Sequence, residues 1–404
     1  MLNNTGARLV LKKEYLWTIA LTIFFIINMN YEWRTGYIAW YGSLSLVMFS
    51  YFVTYDGLIQ LKMTPFVKWI ISFTVLGLFS VLWCSSSAPV IDIVKTYVVY
   101  IAVFLLIQFS INFGYKVDTM LRGYFVATLV NSIYVFLTID VAKLGDVQIG
   151  NHLLDGWNGN GIGSMAAQGA FIGCYLFGQS KNKLSKIMYL CGMFGFSFLT
   201  FYTGSRTAFI MLVASFVMYF WLCNPTKIVR NAIITAVVLG GVLYLVMNVQ
   251  SLYNVLGSRL EGLFSLFTGE GEVDSSADIR DVFIQNGKKW FVEKPILGYG
   301  LNNYRVLNQL VTGRYTYAHN TFIELAVNLG TVGLIWYYSV YLYLGKRFVS
   351  VFRKSALNRF LFASLAVSLI SQYGTVSYYG FYQNFLLMLC FYAVADTNKK
   401  GLVN

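Results

Sequence analysis

The stretch YTYAHNTFIELAVNLGTVGLIWYY, residues 315–338, passes from an aromatic, polar entry into a long apolar run, and one of the chain's two histidines, His319, stands at the boundary. The run continues to about residue 344, longer than the ~20 residues that cross a bilayer as a helix. Comparable runs recur through the chain, roughly at 15–30, 37–54, 69–85, 96–113, 123–139, 161–178, 187–203, 207–223, 231–249, 319–344, 358–374 and 379–395. Of the 404 residues, 57% are hydrophobic and only 12% charged, where a soluble domain has about 25% charged. The fold class expected is an all-α polytopic membrane protein of about 12 transmembrane helices, with no room between them for a soluble domain of ordinary size. The basic, then apolar N-terminus lacks a small-residue cleavage pattern and is read as a retained first span.

An even number of spans puts both termini on one side. With that side cytoplasmic, nineteen of the thirty lysines and arginines fall in inside segments and four in short outside connectors, the asymmetry that positive-inside topology requires. This placement explains the formal charge of +13 without nucleic acid, which is excluded as a partner. Five cysteines lie in or beside apolar segments without C-x-x-C spacing and read as small core residues.

The other seven basic residues fall in one hydrophilic segment, 250–318, between spans nine and ten. The organisation expected is a bundle of nine spans over 1–249, an extracytoplasmic loop over 250–318 and three C-terminal spans over 319–404, together one integral membrane domain. Within the loop, Ser275 and Asp278 form a capping-box-like start, and Ile279, Val282, Phe283 and Trp290 follow at helical spacing before Pro295 and its glycines. These residues predict a short amphipathic helix on or near the outer face. A second outer connector, DVQIGNHLLDGWNGNGIG, predicts a structured turn; His152 and Asn160 in it are weaker candidates.

Walker A, G-x-S-x-G and H-E-x-x-H motifs are missing, as is an acidic cluster of the metal-binding type on the outer side. What remains is a set of costly polar residues at the outer ends of spans. Arg206, in a four-residue hinge TGSR between two apolar runs, reads either as a snorkelling anchor or as a guanidinium facing a polar cavity, suited to phosphate or carboxylate. Arg280, in the first turns of the loop helix, reads as an anion ligand or as a member of a surface ion network with Asp278 and Asp281. Arg259, Arg305 and Arg314 are further cationic candidates. His319 is either an interfacial histidine bonded to a carbonyl or a proton-handling group near neutrality. Behind it Asn320, Glu324 and Asn328 recur every four residues, a polar stripe that must turn inward because Glu324 has to pair or meet water. Gly330 and Gly333 predict close approach of a neighbouring helix. Arginines and one histidine converging on the outer face suit group transfer from a lipid phosphate: two arginines hold a diphosphate leaving group while the histidine activates or orients an acceptor hydroxyl.

Three segments in order, TGSRTAFI, ADIRDVFIQNGKKWFVEKPILGYGLNNY and AHNTFIELAVNLGTVGLIWY, resemble the O-antigen ligase and Wzy-type O-antigen polymerase superfamily. The first half is similar in layout only, apart from the stretch GWNGNGIG. The resemblance implies a GT-C-like glycosyltransferase on the outer face of the cytoplasmic (inner) membrane, working without metal or other cofactor. It assigns Arg206 and Arg280 to the undecaprenyl diphosphate of an oligosaccharide donor and His319 to the acceptor hydroxyl, with Arg305, Arg314, Asn320, Glu324 and Asn160 as further substrate-binding candidates. Asn328 departs from the second acid that many members carry, against a two-carboxylate scheme. The activity implied is polymerisation of undecaprenyl-diphosphate-linked repeat units, the oligosaccharide-bearing lipid serving as donor and acceptor, with a chain-length regulator and a flippase as partners. The alternatives are ligation of finished glycan to lipid A core or another terminal acceptor, and transport of lipid-linked sugars. Transport predicts repeated halves, which the sequence lacks.

Overall fold

The computed structural model describes residues 3–29, 36–59, 63–139, 159–258, 260–261 and 275–400. Fourteen helices carry the argument: α1 (Asn3–Met29), α2 (Tyr37–Tyr55), α3 (Pro65–Phe79), α4 (Ser87–Asn112), α5 (Val117–Thr138), α6 (Gly159–Gln179), α7 (Lys183–Tyr202), α8 (Arg206–Cys223), α9 (Ile228–Asn248), α10 (Ser275–Glu293), α11 (Tyr304–Thr312), α12 (Thr321–Val351), α13 (Ala356–Ser371) and α14 (Phe381–Lys400). No strand occurs among the described residues. The apolar runs of the sequence fall largely on helices, and among the described residues 7 helices are long and apolar enough to cross a membrane. The protein is an all-α polytopic membrane protein. His152, Arg259 and the side chain of Ser275 lie outside the described residues.

Short polar connectors begin the helices by capping. Asn182 accepts from the backbone N–H groups of Leu184 (2.8 Å) and Ser185 (3.3 Å) at the start of α7, and Ser355 accepts from Asn358 N–H (3.0 Å) at the start of α13. Each satisfies donors that a helix N-terminus leaves open.

The chain forms two compact units. The first comprises Met1–Lys62, Ala102–Phe216 and Ala236–Ser258. Its helices meet through small residues, as membrane helices do when apolar burial against lipid offers no drive. Phe125 of α5 lies against Gly173 of α6 and Gly192 of α7, where an added Cβ would come within 2.9 and 2.4 Å of its ring. The buried Asn131 of α5 donates to the Ile26 carbonyl of α1 (3.1 Å).

The second unit comprises Met63–Ile101, Val217–Thr235 and Arg259–Asn404. The loop helix α10 turns Ile279, Phe283 and Trp290 onto α12, forming an apolar cluster with Tyr299, Tyr304, Ala318, Ile323 and Val327. Val282, expected on the same face, is exposed, because the 279, 283 and 290 positions already complete the stripe. Gly287 lets the helices approach: a Cβ there would lie 2.3 Å from Ile323 Cγ2.

The expectation for Gly330 is overturned. Gly330 has φ 61° and ψ −161°, a backbone conformation nearly confined to glycine, and it breaks α12. The segment 295–300, not another helix, fills the gap. Tyr299 and Gly300 donate to the freed carbonyls of Val327 (2.9 Å) and Asn328 (2.8 Å), and Thr331 N–H donates to the Pro295 carbonyl (2.8 Å). A Cβ on Gly330 would lie 2.2 Å from the Ile296 carbonyl oxygen, whereas the atoms nearest a Cβ on Gly333 belong to Leu329 of its own helix. A break inside an apolar helix is tolerated where protein re-satisfies the freed backbone groups, as this segment does. From its other side the segment is held by residues 80–86: Leu301 N–H donates to Ser80 Oγ (2.9 Å), while Asn303 accepts from Ser86 N–H (2.7 Å) and donates to the Ser86 carbonyl (3.0 Å).

Candidate functional site

The stripe of three on α12 is buried, as its spacing predicts, and each member has a distinct structural task. Asn320 is the helix N-cap, its Oδ1 accepting from Ile323 N–H (3.1 Å). Glu324 reaches back so that Oε2 accepts from Ala318 N–H (2.8 Å), while Oε1 has no hydrogen-bond partner. Asn328 accepts from Tyr304 N–H (2.7 Å), the start of α11, and donates to the Tyr378 hydroxyl (3.1 Å). Its uncharged amide thus spends both ends on scaffold bonds.

His319 stands between these anchors with φ 53°, a left-handed conformation that costs a non-glycine residue about 1–2 kcal/mol. Neighbouring bonds hold it there. Ala318 before it is tied to Glu324, and Thr321 after it donates through its backbone to the Gln372 carbonyl and through its hydroxyl to the Thr375 carbonyl, each 2.8 Å away. The imidazole lies 4.2 Å from the Tyr317 ring and is stacked parallel to Phe283 of α10 at 6.4 Å. Its Nδ1 is buried without a hydrogen-bond partner. Burial, then the charges of Arg280 and Arg305, push its pKa down to about 3, so the ring is neutral at physiological pH. Of the two readings the sequence leaves open, the histidine bonded to a loop carbonyl gains no support from Nδ1.

The charges of Arg280, on α10, and Arg305, on α11, both act on the His319 ring. Arg305 is enclosed: Nη2 donates to the Tyr379 hydroxyl (2.6 Å), and the guanidinium lies over the rings of Tyr317 (5.5 Å) and Tyr379 (5.8 Å). Burial disfavours its charge, but Tyr379 and Glu324 offset that and hold its pKa above the usual arginine value. Arg314 is exposed beyond the end of α11; its carbonyl accepts from Asn308 (2.8 Å).

Arg206 and Asn160 belong to the first unit. Gly204, with φ 61°, ends the α7 connection, and Ser205 then starts α8 by accepting from Ala208 N–H (3.2 Å) while donating to Asn160 Oδ1 (2.7 Å). Arg206, the first residue of α8, is only 7% exposed, so its guanidinium is drawn into protein and does not snorkel freely.

In the second unit, therefore, Arg280, Arg305, His319 and Glu324 form one electrostatic group. Sequence reasoning missed Tyr317, Tyr378 and Tyr379 as members. The doublet Tyr378-Tyr379, lying between two spans, was the signal available, but nothing local distinguishes it from an interfacial aromatic pair. Among the described residues, no group of His, Cys, Asp and Glu is arranged to hold a metal ion. The arrangement combines a neutral, unpartnered imidazole nitrogen with guanidinium charge, a combination able to accept a proton beside an anion.

No curated protein matches the chain. Residues 191–338 match the family model described as O-antigen ligase, a range that takes in Arg206, Arg280, Arg305, Arg314, His319, Asn320 and Glu324. Over residues 191–338, therefore, the chain is similar to the O-antigen ligase family.

Proposed function

We propose that the protein polymerises surface polysaccharide, transferring a growing glycan from undecaprenyl diphosphate to the acceptor hydroxyl of another lipid-linked repeat unit at the outer face of the cytoplasmic membrane. The observation that carries this reading is the neutral His319 imidazole, its Nδ1 unpartnered, under the charges of Arg280 and Arg305 inside the matched domain. In the reaction the acceptor oxygen bonds to the anomeric carbon of the donor, the bond from that carbon to the phosphate oxygen breaks, and the diphosphate leaves with the electron pair. His319 takes the hydroxyl proton. Arg280 stabilises the leaving diphosphate. Anion binding near Arg280 also offsets the positive charge that depresses His319 basicity, so the donor itself makes the histidine a better base. Arg206 keeps the diphosphate role that the resemblance gives it. Twelve spans with both termini inside, and the 250–318 segment outside, form the topology of this proposal, with GT-C-like architecture.

The description of the matched family favours a second reading, ligation of the glycan to a terminal acceptor. One experiment separates the two. Purified, reconstituted protein is given native undecaprenyl-diphosphate repeat units, with and without chelator and with and without a lipid A core acceptor. A ladder of extended glycans from repeat units alone, lost in Arg280→Ala, Arg206→Ala and His319→Ala proteins that still fold, supports polymerisation. Product formed only with the core acceptor replaces polymerase by ligase, and no product with either acceptor refutes both.

A further inference from the structure

We infer that Arg305 and Glu324 are positioning residues for His319, a half-buried guanidinium and a buried carboxyl group that engage the two residues immediately before the histidine, rather than a pair of substrate ligands. This rests on the transferase reading above and assigns two residues of the same site.

Both charges act through neighbours of His319. Glu324, fully buried on α12, holds Ala318 by its backbone N–H (2.8 Å). Arg305, on α11, covers the Tyr317 ring (5.5 Å), and that ring lies 4.2 Å from the imidazole. Arg305 is itself fixed from a third element by the Tyr379 hydroxyl (2.6 Å), which precedes α14. The histidine is thus approached by Tyr317 and Ala318 on its own segment, by Arg280 from α10 and by Arg305 from α11. Glu324 and Tyr379 act on Arg305 in turn.

This arrangement explains why a carboxylate occupies a fully buried position on an apolar helix. Its Oε2 accepts from Ala318 N–H and the Arg305 charge acts on the same neighbourhood, while Oε1 has no hydrogen-bond partner, so its place is set by the bond to the histidine's own segment. It also explains the enclosure of Arg305. A guanidinium bonded to one tyrosine and lying over two is held in place by its own neighbours, with Nε still unpartnered, while its charge acts on the imidazole. Glu324 fixes where His319 points, and Arg305 adds its charge to the burial and the Arg280 charge that keep the ring neutral.

The chain has two histidines, so the imidazole of His319 can be followed directly. Protein labelled with nitrogen-15 in histidine is placed in lipid nanodiscs, the His319 signal is assigned with His319→Gln, and its titration is recorded by NMR for wild type, Arg305→Gln, Arg305→Lys and Glu324→Gln. The expected result is a rise of the His319 midpoint by about one pH unit or more in Arg305→Gln, with Arg305→Lys returning it toward wild type. Glu324→Gln, which keeps an acceptor for Ala318 N–H, should preserve the ring environment, and the double variant with Arg305→Gln should be more stable than Arg305→Gln alone because no carboxylate is stranded. In the transfer assay, Arg305→Gln, which removes a charge that depresses His319 basicity, should leave donor KM within about twofold. An unmoved His319 midpoint in folded Arg305→Gln overturns the inference, as does a large rise in donor KM at unchanged kcat, the signature of a substrate ligand. If wild type transfers no glycan, the proposed function fails, and the titration and the double variant still decide the positioning roles.

Discussion

Replacing Gly330 by alanine tests the account of the second unit at its most exacting point. At φ 61° and ψ −161°, an L residue pays about 1–3 kcal/mol in backbone strain. The new Cβ would also stand 2.2 Å from the Ile296 carbonyl oxygen, 2.4 Å from its carbon and 2.7 Å from Leu297 N, all backbone atoms that no rotamer change can move aside. Relief requires the 295–300 segment to withdraw, which gives up the bonds from Thr331 N–H to Pro295 (2.8 Å) and from Val332 N–H to Ile296 (3.3 Å), each worth about 1 kcal/mol. The expected destabilisation is about 3–5 kcal/mol, a large share of the 5–15 kcal/mol typical of a folded domain. Gly345→Ala is the control in the same helix: nothing lies within 4 Å of its Cβ position, and alanine there should be neutral or stabilising by up to about 1 kcal/mol. Unfolding of both variants in mixed micelles gives the energies. Hydrogen exchange at the Tyr299 and Gly300 amides, which donate to α12, reports whether the segment has withdrawn. A Gly330→Ala protein within about 0.5 kcal/mol of wild type, with those amides still protected, would refute the broken-helix reasoning.

Further tests follow from individual contacts. His319 is held near pKa 3 in the folded protein against an ordinary 6.5, so below pH 6.5 the unfolded chain binds the proton more readily. Its contribution is therefore complete above pH 6.5 and is lost as pH falls toward 3, at up to about 1.4 kcal/mol per pH unit; His319→Gln should flatten the stability slope in that window, and an unchanged slope would contradict the burial of a neutral ring. Asn328→Ala leaves Tyr304 N–H and the Tyr378 hydroxyl without this partner and should cost about 2–4 kcal/mol in the same unfolding measurement. In the first unit, Gly163→Val would crowd Thr203 Oγ1 (2.6 Å) and Ala208 Cβ (2.7 Å) on either side of Arg206, so a loss of about 1–3 kcal/mol is expected there, and an unaffected protein would mean that this junction is looser than described.

Sequence alone determined the membrane class, the helical runs and the inward polar stripe, because these follow from length, composition and a period of about four along a single helix. It also nominated Arg206 and Glu324, since charge within or beside an apolar run is costly enough to stand out, and named Arg280, Arg305 and His319 as candidates beside them. Tertiary structure decided what those residues do. In local sequence Gly330 looked like a helix-packing glycine; only the segment 295–300, more than thirty positions upstream, makes it a break whose carbonyls are answered. Asn328 looked like a weakened acid, yet its partners Tyr304 and Tyr378 lie 24 and 50 residues away and make it a scaffold amide. Tyr379 reaches Arg305 across 74 residues. Such pairings leave no periodic trace in either strand of sequence, and the state of His319 depends on them: an isolated histidine is set by water, whereas this one is set by burial and two guanidinium charges that arrive from other helices.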